Sequence, residues 1–514
     1  MDEIIIHGGG VLRGEVAVSG AKNAALPVLF ASLLTAQTCH IDNVPQVVDC
    51  QTTELLLSRL GVGVESDAGQ VRLEAARISS FEAPYDLVKT MRASFLALGP
   101  LLARFGEARV ATPGGCAIGS RPVDLHLEGF EKMGATIHHT HGYVEARAPR
   151  PVGGGPRLCG VDMTLRFPSV GATENLMMAA TLARGTTVLR NAAREPEIVD
   201  LACALRSMGA DIEGEGSDVI VIRGGTSLGG MTHRVLPDRI EAGTLLIAAA
   251  ATCGGNVFVR DARRDDLGVV LDVLGAAGVE LSCEPGGIRA RRSGNLVPID
   301  VATAPFPGFP TDLQAQLMAL LCFADGESTI SETIFENRFM HVQELVRLGA
   351  DIRVDGGKAF VRGPARLEGA EVMATDLRAS VCLIVAGLAA ENTTRLQRVY
   401  HLDRGYERIE AKLAGLGAQI ERRSGSLTAG AAAAGAGHGA GARQAALAAP
   451  ERDLVTPPGF GDDVTSLEAG APAVDRVAAA VGGPARLQSR RLHVVTGGAP
   501  TGARPTRRRT RAQP

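Results

Sequence analysis

Met208-Gly209-Ala210-Asp211-Ile212 closes an amphipathic run that begins at Glu195 and opens an alternating one, and this junction recurs along the chain. It stands as Leu60-Gly61-Val62-Gly63-Val64, Met133-Gly134-Ala135-Thr136-Ile137, Ala277-Gly278-Val279-Glu280-Leu281, Leu348-Gly349-Ala350-Asp351-Ile352 and Leu416-Gly417-Ala418-Gln419-Ile420. Successive junction glycines lie 73, 75, 69, 71 and 68 residues apart. Each copy reads as a helix stopped by glycine at its C-cap, with the chain then turning into a strand. A second alternating run such as Asp218-Val219-Ile220-Val221-Ile222 reads as the hairpin partner of that strand.

A further signature precedes at least three of these helices: Arg184-Gly185-Thr186-Thr187-Val188-Leu189-Arg190-Asn191, Gly326-Glu327-Ser328-Thr329-Ile330 and Glu391-Asn392-Thr393-Thr394. It is a turn and a strand following a more apolar helix, such as Asn175 to Ala183. The unit is therefore helix, strand, helix, hairpin. Solenoid repeats are shorter, so a period of about 70 residues points to a closed globular array of α/β units. Three copies per lobe would make two similar lobes with a ligand cleft between them.

The repeats end near Ser424. From Gly425 the chain is rich in Ala and Gly and closes on Arg507-Arg508-Arg509-Thr510-Arg511, a tail expected to be mostly disordered and solvated. A chain of 514 residues exceeds one core, and 45% apolar with 21% charged residues is ordinary for a soluble globular protein. A net charge of -3, no Trp and four Tyr give no reason to expect a nucleic-acid partner. The nine Cys lack CxxC pairs or zinc-ligand spacing, so neither a disulfide framework nor a metal or other cofactor is expected. No apolar run approaches a membrane span, and Met1-Asp2-Glu3 lacks a basic leader. The expectation is a cytoplasmic protein without membrane insertion.

The stretch Pro113-Gly114-Gly115-Cys116-Ala117-Ile118-Gly119-Ser120-Arg121-Pro122-Val123-Asp124-Leu125-His126 sets one thiol in a glycine-rich loop with a guanidinium five residues on. Glycines allow close backbone approach to a ligand, and a nearby cation favours the thiolate. Such a loop suits the delivery of a reactive group onto a bound anion; the alternative is a surface loop with an incidental Cys.

Six βα-rich repeats, this loop, Ser19-Gly20-Ala21-Lys22-Asn23 and His401-Leu402-Asp403-Arg404-Gly405-Tyr406-Glu407-Arg408 together resemble the enolpyruvyl transferases. Also similar are Ala83 to Ser94, Pro237-Asp238-Arg239-Ile240-Glu241, Phe309-Pro310-Thr311-Asp312 and Phe335-Glu336-Asn337-Arg338-Phe339-Met340-His341. The resemblance covers residues 1 to 424 and leaves the tail without a counterpart. It implies a two-lobed inside-out α/β barrel: residues 1–21 with 230–424 as the catalytic lobe, 22–229 as the lobe carrying the Cys loop, and 425–514 as the tail.

The resemblance also implies small-molecule substrates. Within the family the Cys loop favours transfer of enolpyruvyl from phosphoenolpyruvate to the 3'-hydroxyl of UDP-N-acetylglucosamine, with release of phosphate. Such chemistry needs converging cations for the two anions of phosphoenolpyruvate, a base for the sugar hydroxyl and an acid for C3. By resemblance Lys22 and Asn23 contact phosphoenolpyruvate, Arg121 and Arg404 match phosphate-binding positions, and Arg338 and Arg378 surround the substrate anions. Lys22 starts a helix, where amides and dipole favour an anion. Cys116 matches the proton donor that can also form a covalent adduct, and Asp312 the general base, although Asp312 also reads as an N-cap. The nucleotide sugar maps onto Arg92, the run Arg121, Pro122, Val123, Asp124 and Leu125, the turn Phe167, Pro168, Ser169, Val170 and Gly171, and Ile334 through its backbone.

Two other readings stay open: the sister reaction onto shikimate 3-phosphate, and a non-catalytic binding or regulatory member of the same fold. The joint presence of Lys22, Cys116, Asp312 and Arg404 argues against a decayed site.

Overall fold

All six junction glycines take left-handed φ angles, from +90° at Gly278 to +103° at Gly61. At each, the amide after the glycine donates to a carbonyl five residues back, from Val62 to Leu57, Ala135 to Phe130, Ala210 to Leu205, Val279 to Leu274, Ala350 to Leu345 and Ala418 to Leu413, at 2.9–3.1 Å. This is a Schellman closure: glycine takes the conformation that a Cβ disfavours, and the apolar residue behind it tucks in. Val62, Ala135, Ala210, Val279, Ala350 and Ala418 are all buried.

The computed structural model describes residues 2–112, 123–150, 157–225 and 227–424. These belong to one unit, Met1–Ala432; the other, Ala433–Pro514, lies outside the described residues, as does the sequence reading of the tail.

Among the described residues the strands form six four-stranded sheets. In one, Asp211–Glu213 and Val219–Arg223 make the expected hairpin, and Thr186–Arg190 pairs antiparallel with its second strand. The fourth strand, Asp162–Thr164, runs parallel to Thr186–Arg190. Strands this short carry no readable alternation, which is why the sequence unit lacked one.

The sixth unit departs from the expected pattern. Gln419–Arg423 finds its hairpin partner in the N-terminal strand Glu3–His7, which lies between it and Thr393–Gln397. The two ends of the repeat region are thus sewn into one sheet. Two further strands are exchanged in the same way. Arg13–Ala17 pairs parallel with Asn256–Arg260, and Met231–Arg234 with Thr38–Asp42.

Two hydrophobic cores result. One is built from residues between Ala21 and Leu236; the other from Ile4 to Val18 together with Ile240 to Ile420. In the second core the apolar helices Arg239–Ala251, Gln314–Leu321 and Leu377–Ala389 are buried against one another, and the sheets lie around them with one face exposed. Helices inside and sheets outside is the inside-out order that the resemblance implied.

The chain passes between the cores at Gly20 and Pro237, which form an isolated antiparallel bridge. A Cβ on Gly20 would lie 1.8 Å from the carbonyl oxygen of Asn43, so only glycine fits this crossing. Just beyond it, Arg239 reaches from the second core to Glu197 of the first at 3.0 Å. The crossing therefore sets residues that follow it, Lys22 on one side and Asp238 on the other, close together.

Candidate active site

Asp312 lies in the turn Thr311–Leu313 that leads into the helix Gln314–Leu321. Neither element has a side-chain cap, so the capping role read from the sequence is not seen. The carboxylate meets two guanidiniums instead. Arg338 Nη2 lies 2.9 Å from Oδ1, and Arg378 Nε and Nη2 lie 3.1 Å from Oδ2. The side chains of Arg338 and Arg378 are 5% and 4% exposed, and the Nη1 atom of each is buried with no hydrogen-bond partner among the described residues. Buried N–H groups are normally satisfied, so two such orphans on one carboxylate mark a place built to receive another acceptor.

The surroundings fix this arrangement. Asp376 caps the helix Leu377–Ala389, accepting from the amides of Arg378 and Ala379, and so sets where Arg378 starts. Arg378 lies over the ring of buried Tyr406 at 5.2 Å. Burial pulls the pKa of Arg378 down, but the pull of Tyr406, Asp312 and Asp238 outweighs it and holds the guanidinium more firmly charged than usual. Gln316 ties the group together, donating to the Asp312 carbonyl at 3.0 Å and the Tyr406 hydroxyl at 3.1 Å. Glu332 accepts from the hydroxyl of Thr311, beside Asp312, and from the amide of Ile334, at 2.8 Å each.

A second carboxylate holds Lys22 and Arg404. Asp49, in the first turn of the helix Val48–Leu60, lies 3.4 Å from Lys22 Nζ and 3.0 Å from Arg404 Nε. Arg404 ends the turn Val399–Arg404, which is anchored by a two-pronged pair between Asp403 and Arg422 at 2.7 and 2.6 Å. Asn23 sits beside Lys22 in the first turn of the helix Lys22–Ala31. A carboxylate of the chain also lies at that helix start. Asp238 caps Arg239–Ala251 through the amides of Ile240 and Glu241, and its other oxygen accepts from the Lys22 amide at 3.3 Å. Asp238 also adds to the pull that holds Arg378 charged.

Of the residues read as the nucleotide-sugar side, Arg92, Asp124, Leu125 and Gly171 lie about His126. Arg166 bridges Asp124 and Glu128, drawing the segment before Phe167 onto the helix Asp124–Lys132. Ser169 caps the helix Val170–Thr181 by accepting from Ala172 at 3.3 Å. A Cβ on Gly171 would lie 3.4 Å from the His126 ring, and Asn175 reaches His126 Nδ1 at 3.1 Å. Burial, with the charge of Arg92 second, pushes the pKa of His126 down to about 3, so the ring is neutral. Leu125 is buried and Phe167 exposed, while Val123 and Pro168 are half-buried. Cys116, Arg121 and Pro122 lie outside the described residues.

Sequence reasoning missed Asp49, Asp238, Glu332 and His126 as parts of this assembly. Asp238 carried a readable signal, an Asp directly before an apolar helix with Glu three residues on. Asp49 had none, because an acid in a first helical turn is ordinary.

A family-level sequence profile described as EPSP synthase (3-phosphoshikimate 1-carboxyvinyltransferase) matches residues 6–413. The chain belongs to this family. Within it, a UDP-N-acetylglucosamine 1-carboxyvinyltransferase of Geotalea uraniireducens (strain Rf4) is 55% identical over 422 residues, 82% of this chain and 99% of the relative. The enzyme of the same name from Geotalea daltonii matches with the same identity and coverage. Among solved structures, the enolpyruvyl transferase NikO from Streptomyces tendae aligns with a TM-score of 0.73 at 27% identity, covering 83% of this chain and 99% of NikO. An EPSP synthase from Acinetobacter baumannii aligns at 0.65 and 19% identity, covering 82% of this chain and all of that one (100%), and bears on the fold alone. No helix among the described residues is long and apolar enough to cross a membrane.

Proposed function

We infer that this family member is a transferase that moves the enolpyruvyl group of phosphoenolpyruvate onto the 3'-hydroxyl of UDP-N-acetylglucosamine and releases phosphate, the first committed step of peptidoglycan synthesis. The 55% identity to enzymes of that name supports the choice of acceptor. The observation that carries the chemistry is the pair of buried guanidiniums on Asp312, each with an unused N–H.

The charges suit the substrate. Arg338 and Arg378 bring two positive charges against the single negative charge of Asp312, leaving one for the carboxylate of phosphoenolpyruvate. Lys22 and Arg404 likewise exceed Asp49 by one charge, and Arg121 would add another toward the phosphate. Asn23 contributes an amide at the same helix start. The uridine diphosphate side is assigned to Arg92, Arg121 to Leu125, Phe167 to Gly171 and the Ile334 backbone.

The reaction then runs in two steps. In the addition, the sugar O–H proton passes to Asp312 as the oxygen bonds C2 of the enol. The C2–C3 double-bond electrons take a proton from the Cys116 thiol at C3, giving a tetrahedral ketal. In the elimination, C3 gives a proton back to the Cys116 thiolate, the double bond reforms, the C2–O bond to phosphate breaks, and the proton held on Asp312 leaves with the phosphate. Cations fixed before the substrate arrives stabilise the developing charge without reorganising. Both substrates are soluble metabolites, and we assign the reaction to the cytoplasm.

Phosphate release should require phosphoenolpyruvate and UDP-N-acetylglucosamine together. Release with shikimate 3-phosphate in place of the nucleotide sugar would transfer the chain to the sister reaction, and release with neither would leave a binding protein.

A further inference from the structure

We propose that Asp49 is a positioning residue for the phosphate of phosphoenolpyruvate, holding Lys22 and Arg404 together as one preassembled anion receptor. The proposal rests on the functional reading above and extends it to a residue that touches no substrate there.

The geometry has three parts. First, one carboxylate meets both cations, Lys22 Nζ at 3.4 Å and Arg404 Nε and Nη2 at 3.0 and 3.4 Å. Second, the cations come from different halves of the fold. Lys22 follows Ala21 of the first core, while Arg404 follows Leu402 of the second. Two cations carried on separate cores would part by mutual repulsion; a shared carboxylate removes that repulsion before any substrate arrives. Third, Asp49 is fixed. Its side chain is 4% exposed, and its helix packs by Cys50, Leu56, Leu57 and Leu60 into the first core. The adjacent Cys50 thiol is pushed up by burial and then by Asp49 itself, so it stays neutral and brings no rival charge.

Exposure is graded across the triad. Asp49 is buried, Lys22 is 13% exposed and Arg404 36% exposed, so the cations, and not the carboxylate, face an incoming ligand. An arriving phosphate would meet hydrogen-bond donors already oriented, with the like-charged Asp49 behind them.

The test is steady-state kinetics on the full chain with Asp49→Asn, which keeps the shape and removes the charge. KM for phosphoenolpyruvate should rise about tenfold, the size expected for hydrogen bonds to charged groups. KM for UDP-N-acetylglucosamine should stay unchanged and kcat should move by less than about threefold. An unchanged or lower KM for phosphoenolpyruvate in folded protein would overturn the proposal. Asp49→Glu preserves charge and fold but displaces the carboxylate. It should give a KM for phosphoenolpyruvate between wild type and Asp49→Asn; a wild-type value would equally count against positioning. Calorimetry with inorganic phosphate separates this proposal from the functional reading, since it needs no turnover. Phosphate should bind Asp49→Asn about tenfold more weakly than wild type, and equal or tighter binding would overturn the role even if the wild-type protein proved to catalyse another reaction.

Discussion

Two carboxylates in this fold each hold two cations, and they are built differently. Asp312 and its partners Arg338 and Arg378 all belong to the half of the chain that forms the second core, and both guanidiniums are almost wholly buried. Asp49 takes one partner from each core and leaves Arg404 partly exposed. The first group is a rigid anvil whose spare N–H atoms wait for an acceptor. The second ties two halves of the molecule through charge. Proton transfer falls to the carboxylate of the first group, whereas the carboxylate of the second only holds its cations for the phosphate.

The sharpest way to break this contrast is Asp312→Asn. The amide keeps the shape but cannot accept the sugar proton, so turnover should fall by roughly 10²–10⁴-fold, the span of general-base contributions. Phosphate release per folded molecule measures it, and unchanged turnover would reduce Asp312 to a clamp for the arginines. Next in size is Arg378→Met, which keeps the buried stem and deletes one guanidinium. KM for phosphoenolpyruvate should rise by about 10- to 100-fold, matching hydrogen bonds to charged groups at about 1.5–3 kcal/mol. A rise confined to UDP-N-acetylglucosamine would move Arg378 to the other substrate.

The neutral His126 beneath the nucleotide-sugar side gives a test through pH. Its folded pKa of about 3 lies below the unfolded value near 6.5, so the unfolded chain takes up a proton first on acidification. Its stability contribution is therefore complete above pH about 6.5 and is lost as pH falls toward 3. Urea unfolding at pH 7 and pH 5 should show the chain with His126 losing more stability, or gaining less, on going to pH 5 than a variant without the ring. His126→Gln, such a variant, should differ in slope by up to about 1.4 kcal/mol per pH unit. An unaltered slope would mean that the ring is not held neutral. His341, pushed down to about 4 mainly by burial, contributes in the same sense, whereas buried Glu174, raised by its burial, contributes in the opposite one. The smallest expected effect lies far from either carboxylate. Gly209 has φ +98° with open space around a Cβ, so Gly209→Ala should lower stability by about 1 kcal/mol and leave turnover alone.

The repeats were legible because the glycine junction is a local event. Each copy needs one left-handed residue and one buried apolar residue behind it, and both are written within five positions. The exchanged strands were not legible, since Glu3–His7 pairing with Gln419–Arg423 is a contact between the ends of the repeat region. The candidate site divides the same way. Its cations were found through resemblance, and the structure brings Lys22 together with Arg404, and Arg338 with Arg378. Asp312, which holds Arg338 and Arg378, was read from the same resemblance; what was missing was Asp49, the carboxylate that joins Lys22 and Arg404. Asp49 lies between Lys22 and Arg404. An ion pair across more than 350 positions leaves no mark in either local sequence.

The contrast between the two carboxylates is tested most directly by measuring kcat and KM for phosphoenolpyruvate side by side in Asp312→Asn and Asp49→Asn. The expected result is a split: Asp312→Asn loses kcat by roughly 10²–10⁴-fold, and Asp49→Asn loses affinity for phosphoenolpyruvate by about tenfold with kcat nearly intact. The same pattern in both variants, whether in kcat or in KM, would contradict the division between a reacting group and a receiving one.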